Sequence, residues 1–180
     1  MLRARSVLAA YCMLDRPFAM SAIASFHRFR EEDLPGLREA AVPARRFLRA
    51  PQDGFWDYVR ARGAPVLEFD GSGYVFATLL SFLEEKRGIL LMKSSHDDLA
   101  NFLSEKRAST FHLFTSDHRD RYLPSLEPGA FDEADLRTYY NDFNETDEPA
   151  SGEAMLDGIS ALRMALGAVL EKSVVLLHIG

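Results

Sequence analysis

The sequence predicts an α+β fold: one mostly helical domain with a small sheet that includes the strands near both chain ends. Three observations carry this reading. A β-prone apolar segment lies near the start (Ile23, Phe26, Phe29) and a stronger one closes the chain (Ser173 to Ile179). Between them, most segments carry apolar residues at helical spacing, with polar residues in front and glycine or basic residues behind. With 180 residues, 47% of them hydrophobic, the chain suits a single domain with its own core.

Residues 1–19 read as an extension ahead of Met20, and residues 20–180 as the domain. The apolar run from Val7 to Leu14 is shorter than the roughly 20 residues a bilayer-spanning helix needs. No small-residue cleavage motif follows it. Ser21 to Phe29 reads as a strand, and REEDLPGLREAA as a short helix, strained or re-capped at Pro35-Gly36. Val42 to Pro51 is a loop or one helical turn. Asp53 then caps a helix with Phe55, Trp56, Tyr58 and Val59 largely on one face, ended by Gly63.

Pro65 to Phe69 is a short strand, closed by the turn Asp70-Gly71-Ser72-Gly73. The apolar run from Tyr74 opens a buried helix that Gly88 ends. Ile89 to Met92 is a central strand or a buried connector, since an unbroken apolar run fits both. Ser95 and Asp98 resemble a capping box ahead of a helix that bears Leu99, Phe102 and Leu103. Ser109 to Thr115 alternates like a strand, with a helix as the other reading. Asp132 to Phe143 and Ser151 to Lys172 are helices, the second with Met155, Ile159, Leu162, Leu166, Val169 and Leu170 in one stripe.

Three stretches carry a family resemblance: the opening MSAIASFHRFREEDLPGL from Met20, the Phe55-Trp56-Asp57-Tyr58 helix, and the closing SVVLLHIG after a long helix. Their order over residues 20–180 resembles the bacterial YfbM-like family, small cytosolic α+β proteins of unassigned function. The resemblance implies the fold and carries no catalytic set. Two parts depart from it: residues 1–19, and the acidic segment from Asn141 to Glu148.

Lysine and arginine number 21 against 27 aspartates and glutamates, a formal charge of −6, which argues against an extended basic surface for nucleic acid or anionic lipid. The single cysteine, Cys12, excludes an internal disulfide and a cysteine-rich zinc framework, and points to a reducing, cytoplasmic compartment. No cofactor motif is present.

Each candidate for chemistry competes with a structural explanation. The five histidines form no H-x-x-x-H pair, so no helix face offers two imidazoles to a metal, and no metal site is expected. His118, with Asp117, sits in a charged DHRDR turn where Asp117 starts a helix. Ser95-His96-Asp97-Asp98 holds the atoms of a hydrolytic triad, but adjacent residues cannot take up its geometry. The stretch from Asp142 to Glu153 has acids at several places of a calcium loop, yet puts Asp147 where the turn glycine belongs and Pro149 close behind. Asp70-Gly71-Ser72-Gly73 lacks the lysine of a phosphate-binding loop, so Ser72 reads as a helix cap.

Arg45, Arg46 and Arg49 form the basic concentration, a candidate for docking an acidic partner or a phosphate. Glu68 and Asp70, two apart on a strand end, face the same side and suit paired-carboxylate or metal-assisted chemistry if that side opens into a cleft. Trp56 reads as a core or rim aromatic. The leading functional reading is a non-catalytic bacterial protein that binds a protein partner as an accessory or toxin-neutralising factor. The alternative is a small enzyme around the Glu68/Asp70 strand end, with His118 and Trp56 as further candidates. An enzyme requires these side chains to meet in one pocket, whereas a binding protein scatters them and shows an exposed apolar or single-sign surface.

Overall fold

The computed structural model describes residues 22–42 and 54–180. Strands β1 (Ala24–Arg30), β2 (Ala64–Phe69), β3 (Thr110–Phe114) and β4 (Ser173–Ile179) form one antiparallel sheet in the order β2-β1-β4-β3. As the sequence predicts, the first and last strands pair, with Ala24 opposite Ile179 and Arg30 opposite Ser173. Every residue of β4 is buried, which explains its unbroken apolar run. Pro65, which has no N–H to donate, lies on edge strand β2, where the pairing with β1 slips by one residue between Phe26 and His27.

Seven helices surround the sheet among the described residues: α1 (Leu34–Ala40), α2 (Gly54–Arg62), α3 (Tyr74–Arg87), α4 (Asp97–Arg107), α5 (Ser116–Tyr122), α6 (Glu133–Asn144) and α7 (Ser151–Gly167). Alternation along the strands divides the core in two. Phe26, Phe114, Val175 and Leu177 pack with Phe76 and Leu79 of α3 and Ile159 and Leu162 of α7. Phe29, Phe111, Leu113, Val174 and Leu176 pack on the opposite face with Leu37 of α1, Phe55 of α2 and Leu103 of α4. The C-terminal carbonyls after α7 are held by two arginines from other elements: Arg28 donates to the Ala168 oxygen (3.2 Å) and Arg119 to that of Val169 (2.7 Å).

Several local expectations change. Pro35 lies in the first turn of α1, after a one-turn 3-10 helix at Glu31–Asp33, so it starts the helix and does not strain it. Gly36 leaves room for the Tyr58 ring of α2, whose hydroxyl donates to the Asp33 carbonyl (2.8 Å). Gly73, not Ser72, is the N-cap of α3, and a Cβ there would sit 3.0 Å from the Ala22 oxygen of the segment leading into β1. Gly88 ends α3 at φ 66°, as expected of a left-handed C-terminal glycine.

Ile89 to Met92 is a connector with Ile89 and Leu91 buried, and residues 110–114 are a strand. The start of α4 is organised one residue earlier than Ser95 and Asp98 suggest: the Asp97 carboxylate accepts the Ser94 N–H (2.7 Å). Ala150 precedes α7, and the Ser151 hydroxyl donates back to the Glu148 carbonyl (2.8 Å) instead of capping the helix. The helix stops at Gly167, so Leu170 is outside the stripe and 52% exposed. The extension 1–19 with Cys12, the Asp53 cap and the arginines Arg45, Arg46 and Arg49 lie outside the described residues.

Candidate functional site

The sequence candidates do not come together. His118 follows β3, while Glu68 and Asp70 belong to β2 and its end. Three strand spacings separate those edges, about 14 Å. They also lie at opposite ends along the strands, because Phe69 aligns through Ala24 and Ile179 with Thr110, whereas α5 leaves from beyond Phe114. Asp70 is not a strand residue; it begins the bend after Phe69, so the expected carboxylate pair on one strand face is not formed. Both acids are exposed.

His118 is buried, and both ring nitrogens are engaged. Nδ1 accepts the Thr115 N–H (3.3 Å), completing a capping box at the start of α5, and Nε2 bonds to the Lys93 carbonyl oxygen (2.7 Å). Those roles require the neutral ring with its proton on Nε2. Burial, the largest influence, lowers its pKa against the opposing pull of the Lys93 carbonyl, Asp117 and Asp97. No lone pair remains for a general base. His118 instead ties the connector before α4 to α5.

Trp56 does meet a group of interest. The register places Glu68, Ser25, His178 and Phe111 in one row across four strands, all projecting from the same face. Trp56 packs edge-on against the His178 ring (4.7 Å), and the Phe111 ring lies tilted to the same imidazole at 4.9 Å. His27, next on that face of β1, leaves a buried Nδ1 without a hydrogen-bond partner. Burial pushes the His178 pKa down to about 4, helped by the neighbouring His27 and Arg107. It lowers that of His27 as well, against the charge of Glu68. Both are neutral imidazoles, and that of His178 is packed among aromatic rings. The sequence shows both histidines on strands, but which strands pair, and in which register, is what makes them neighbours.

Among the described residues, the α6–α7 hairpin carries a surface of a single sign of charge. Residues 132–157 contain nine acids (Asp132, Glu133, Asp135, Asp142, Glu145, Asp147, Glu148, Glu153, Asp157) against one base, Arg137. All nine are exposed. None forms an ion pair among the described residues. Acids at Asp132, Glu133, Asp135 and Glu153 suit the N-terminal ends of their helices, where the helix dipole favours negative charge, and Asp132 also caps α6 through the Asp135 N–H (3.0 Å).

The others have no such reason. Asp142 lies in the last turn of α6, which has no basic residue, and Glu145 occupies the left-handed C-cap at φ 54°, a place suited to glycine or asparagine. The connecting loop is held by Asn141, whose Oδ1 accepts from the Glu148 N–H (3.0 Å) and the Thr146 hydroxyl (3.1 Å). Among these acids stands Phe143, 45% exposed and stacked on Tyr139 at 5.9 Å. The Tyr139 hydroxyl donates to Glu85 of α3 (3.1 Å).

Among the described residues, no group of three metal-ligating side chains converges, and no helix is long and apolar enough to cross a membrane. Comparison of the chain with protein-family models, curated proteins and solved structures finds no match. The class defined by fold and surface is therefore an antiparallel α+β protein with a preorganised acidic helical hairpin.

Proposed function

We propose that this protein is a non-catalytic binding factor that engages a positively charged protein partner through the α6–α7 hairpin, in an accessory or toxin-neutralising role. The observation that carries the proposal is the set of nine exposed, unpaired carboxylates on one hairpin. Like charges so placed repel one another, and at Asp142 and Glu145 they also oppose the helix dipole and backbone preference. A cationic partner relieves that repulsion and is steered to the surface over roughly a Debye length, about 8 Å in physiological salt. Phe143 offers an aromatic anchor within the charged rim. The loop fixed by Asn141 has little conformational freedom left to lose on binding.

The alternative of an enzyme at the Glu68/Asp70 strand end has less support, because those acids are exposed and the candidate His118 stands at the opposite edge and end of the sheet. Membership of the YfbM-like family and a cytoplasmic location belong to the same proposal and rest on the residue order and on the single cysteine.

The test is affinity capture from host lysate by the whole protein and by a variant with Asp142→Asn, Glu145→Gln, Asp147→Asn and Glu148→Gln. A basic protein retained by the first, released as salt rises, and lost from the folded variant supports the proposal. Equal capture by both overturns it.

A further inference from the structure

We propose that the groove between the connector before α4 and helix α5 binds a small hydroxylated phosphomonoester. This site is separate from the acidic hairpin. The groove is open to solvent and offers about 350 Å³, at the lower end of the range for small-molecule sites, and so suits a ligand of sugar-phosphate size. Its two sides come from different segments: Lys93, Ser94 and Ser95 from the connector, and Asp117, His118 and Arg121 from α5. The His118–Lys93 hydrogen bond (2.7 Å) ties these segments together.

Each segment contributes one cation. Arg121 forms no ion pair among the described residues, and its guanidinium lies 5.1 Å from the centre of the Tyr122 ring, which favours the planar group that pairs with phosphate. Lys93 forms an ion pair with Glu84 at 3.8 Å, longer than a hydrogen bond and with the lysine side chain largely exposed. Other surface arginines are more closely engaged, such as Arg119 with Asp120 at 2.7 Å and Arg163 with Glu127 at 2.8 Å. The Ser95 hydroxyl has no partner among the described residues and is exposed beside these cations.

Two cations with the Ser95 hydroxyl match a phosphate group, while the Ser94 hydroxyl is turned to the Asp97 carboxylate (3.3 Å). Asp117, the acid in the lining, is an acceptor and would repel a bare phosphate. That acid makes the site more favourable to a phosphate attached to a body with hydroxyl donors, which Asp117 can accept. Hydroxylated phosphomonoester, rather than inorganic phosphate, is therefore the class that uses the whole lining.

The test is titration of the whole protein with ribose phosphate, in parallel with inorganic phosphate and ribose, followed by backbone amide NMR shifts. Saturable shifts confined to residues 90–95 and 115–122, with ribose phosphate bound at least about threefold more tightly than inorganic phosphate, are expected. Lys93→Ala with Arg121→Ala should weaken binding about tenfold or more. Asp117→Asn should narrow the preference over inorganic phosphate. Both sets change exposed side chains, and an unaltered spectrum elsewhere confirms the fold. No saturable shift up to about 10 mM, shifts elsewhere, affinity unchanged in the double variant, or inorganic phosphate bound equally well each overturns the proposal. Binding unaltered by the four hairpin substitutions is expected, which keeps its failure distinct from failure of the partner reading.

Discussion

The side-chain amide of Asn141 brackets the peptide of Glu148: Oδ1 accepts the Glu148 N–H at 3.0 Å while Nδ2 donates to the Glu148 carbonyl at 3.3 Å. One amide thus satisfies both backbone groups of a loop residue seven positions on, as a neighbouring strand would. Asn141 also accepts from the Thr146 hydroxyl, so the last turn of α6 templates the acidic loop.

Asn141→Ala removes these bonds and leaves the loop to water. The expected loss is about 1 to 2 kcal/mol, since the groups are largely exposed and regain solvent partners. Chemical denaturation measures that loss. Hydrogen exchange should show the Glu148 amide losing protection well before the strand amides. If the partner recognises a preorganised loop, its affinity falls although every carboxylate remains.

Glu145→Gly should stabilise the protein. Glu145 adopts φ 54°, a left-handed conformation that costs an L-residue roughly 1 kcal/mol, and glycine accepts it freely. Loss of one acid from a crowded hairpin acts in the same direction. A higher thermal midpoint combined with weaker binding of a cationic partner separates the two roles of this position. A lower midpoint contradicts the assignment.

Acid should weaken the fold over a defined window. Burial lowers the pKa of His178 to about 4 and that of His112 to about 4, from an ordinary value of 6.5. It also lowers His27 and His118. The unfolded chain therefore binds more protons than the native chain below pH 6.5. Stability from these neutral rings is full above that pH, declines as pH falls toward about 4, and changes no further through His178 and His112 below it. The loss is on the order of 2 to 3 kcal/mol for each of the two strongly shifted rings. Denaturation midpoints between pH 7 and 4 measure it. His178→Phe keeps a ring between Trp56 and Phe111 and should flatten the profile. An unchanged slope would remove His178 from the account.

Much of the fold is legible because local rules act over a few residues. Gly88 ends α3 for the same conformational reason that it reads as a helix end, and the apolar β4 segment is fully buried as its composition suggests. The starts of α3 and α7 are read correctly and the caps are not. Ser72, Ser95 and Ser151 precede or open helices, but Gly73 stands at the cap of α3, the Asp97 carboxylate takes the Ser94 N–H at α4, and the Ser151 hydroxyl turns back to the Glu148 carbonyl, each a local competitor of the cap bond.

The sequence by itself determined that strands lie near both ends of the domain, that most of what lies between is helical, and that acids gather between residues 132 and 157, since periodicity and composition are properties of neighbouring residues. Tertiary structure decided which distant groups meet. Packing of α2 on the sheet brought Trp56 to His178, and strand order and register kept Glu68 away from His118. The connector before α4 and the start of α5 meet around His118, so that both its nitrogens serve backbone partners. A one-residue shift of a strand turns every side chain to the other face, so contacts across 150 residues of chain depend on packing that no local pattern encodes.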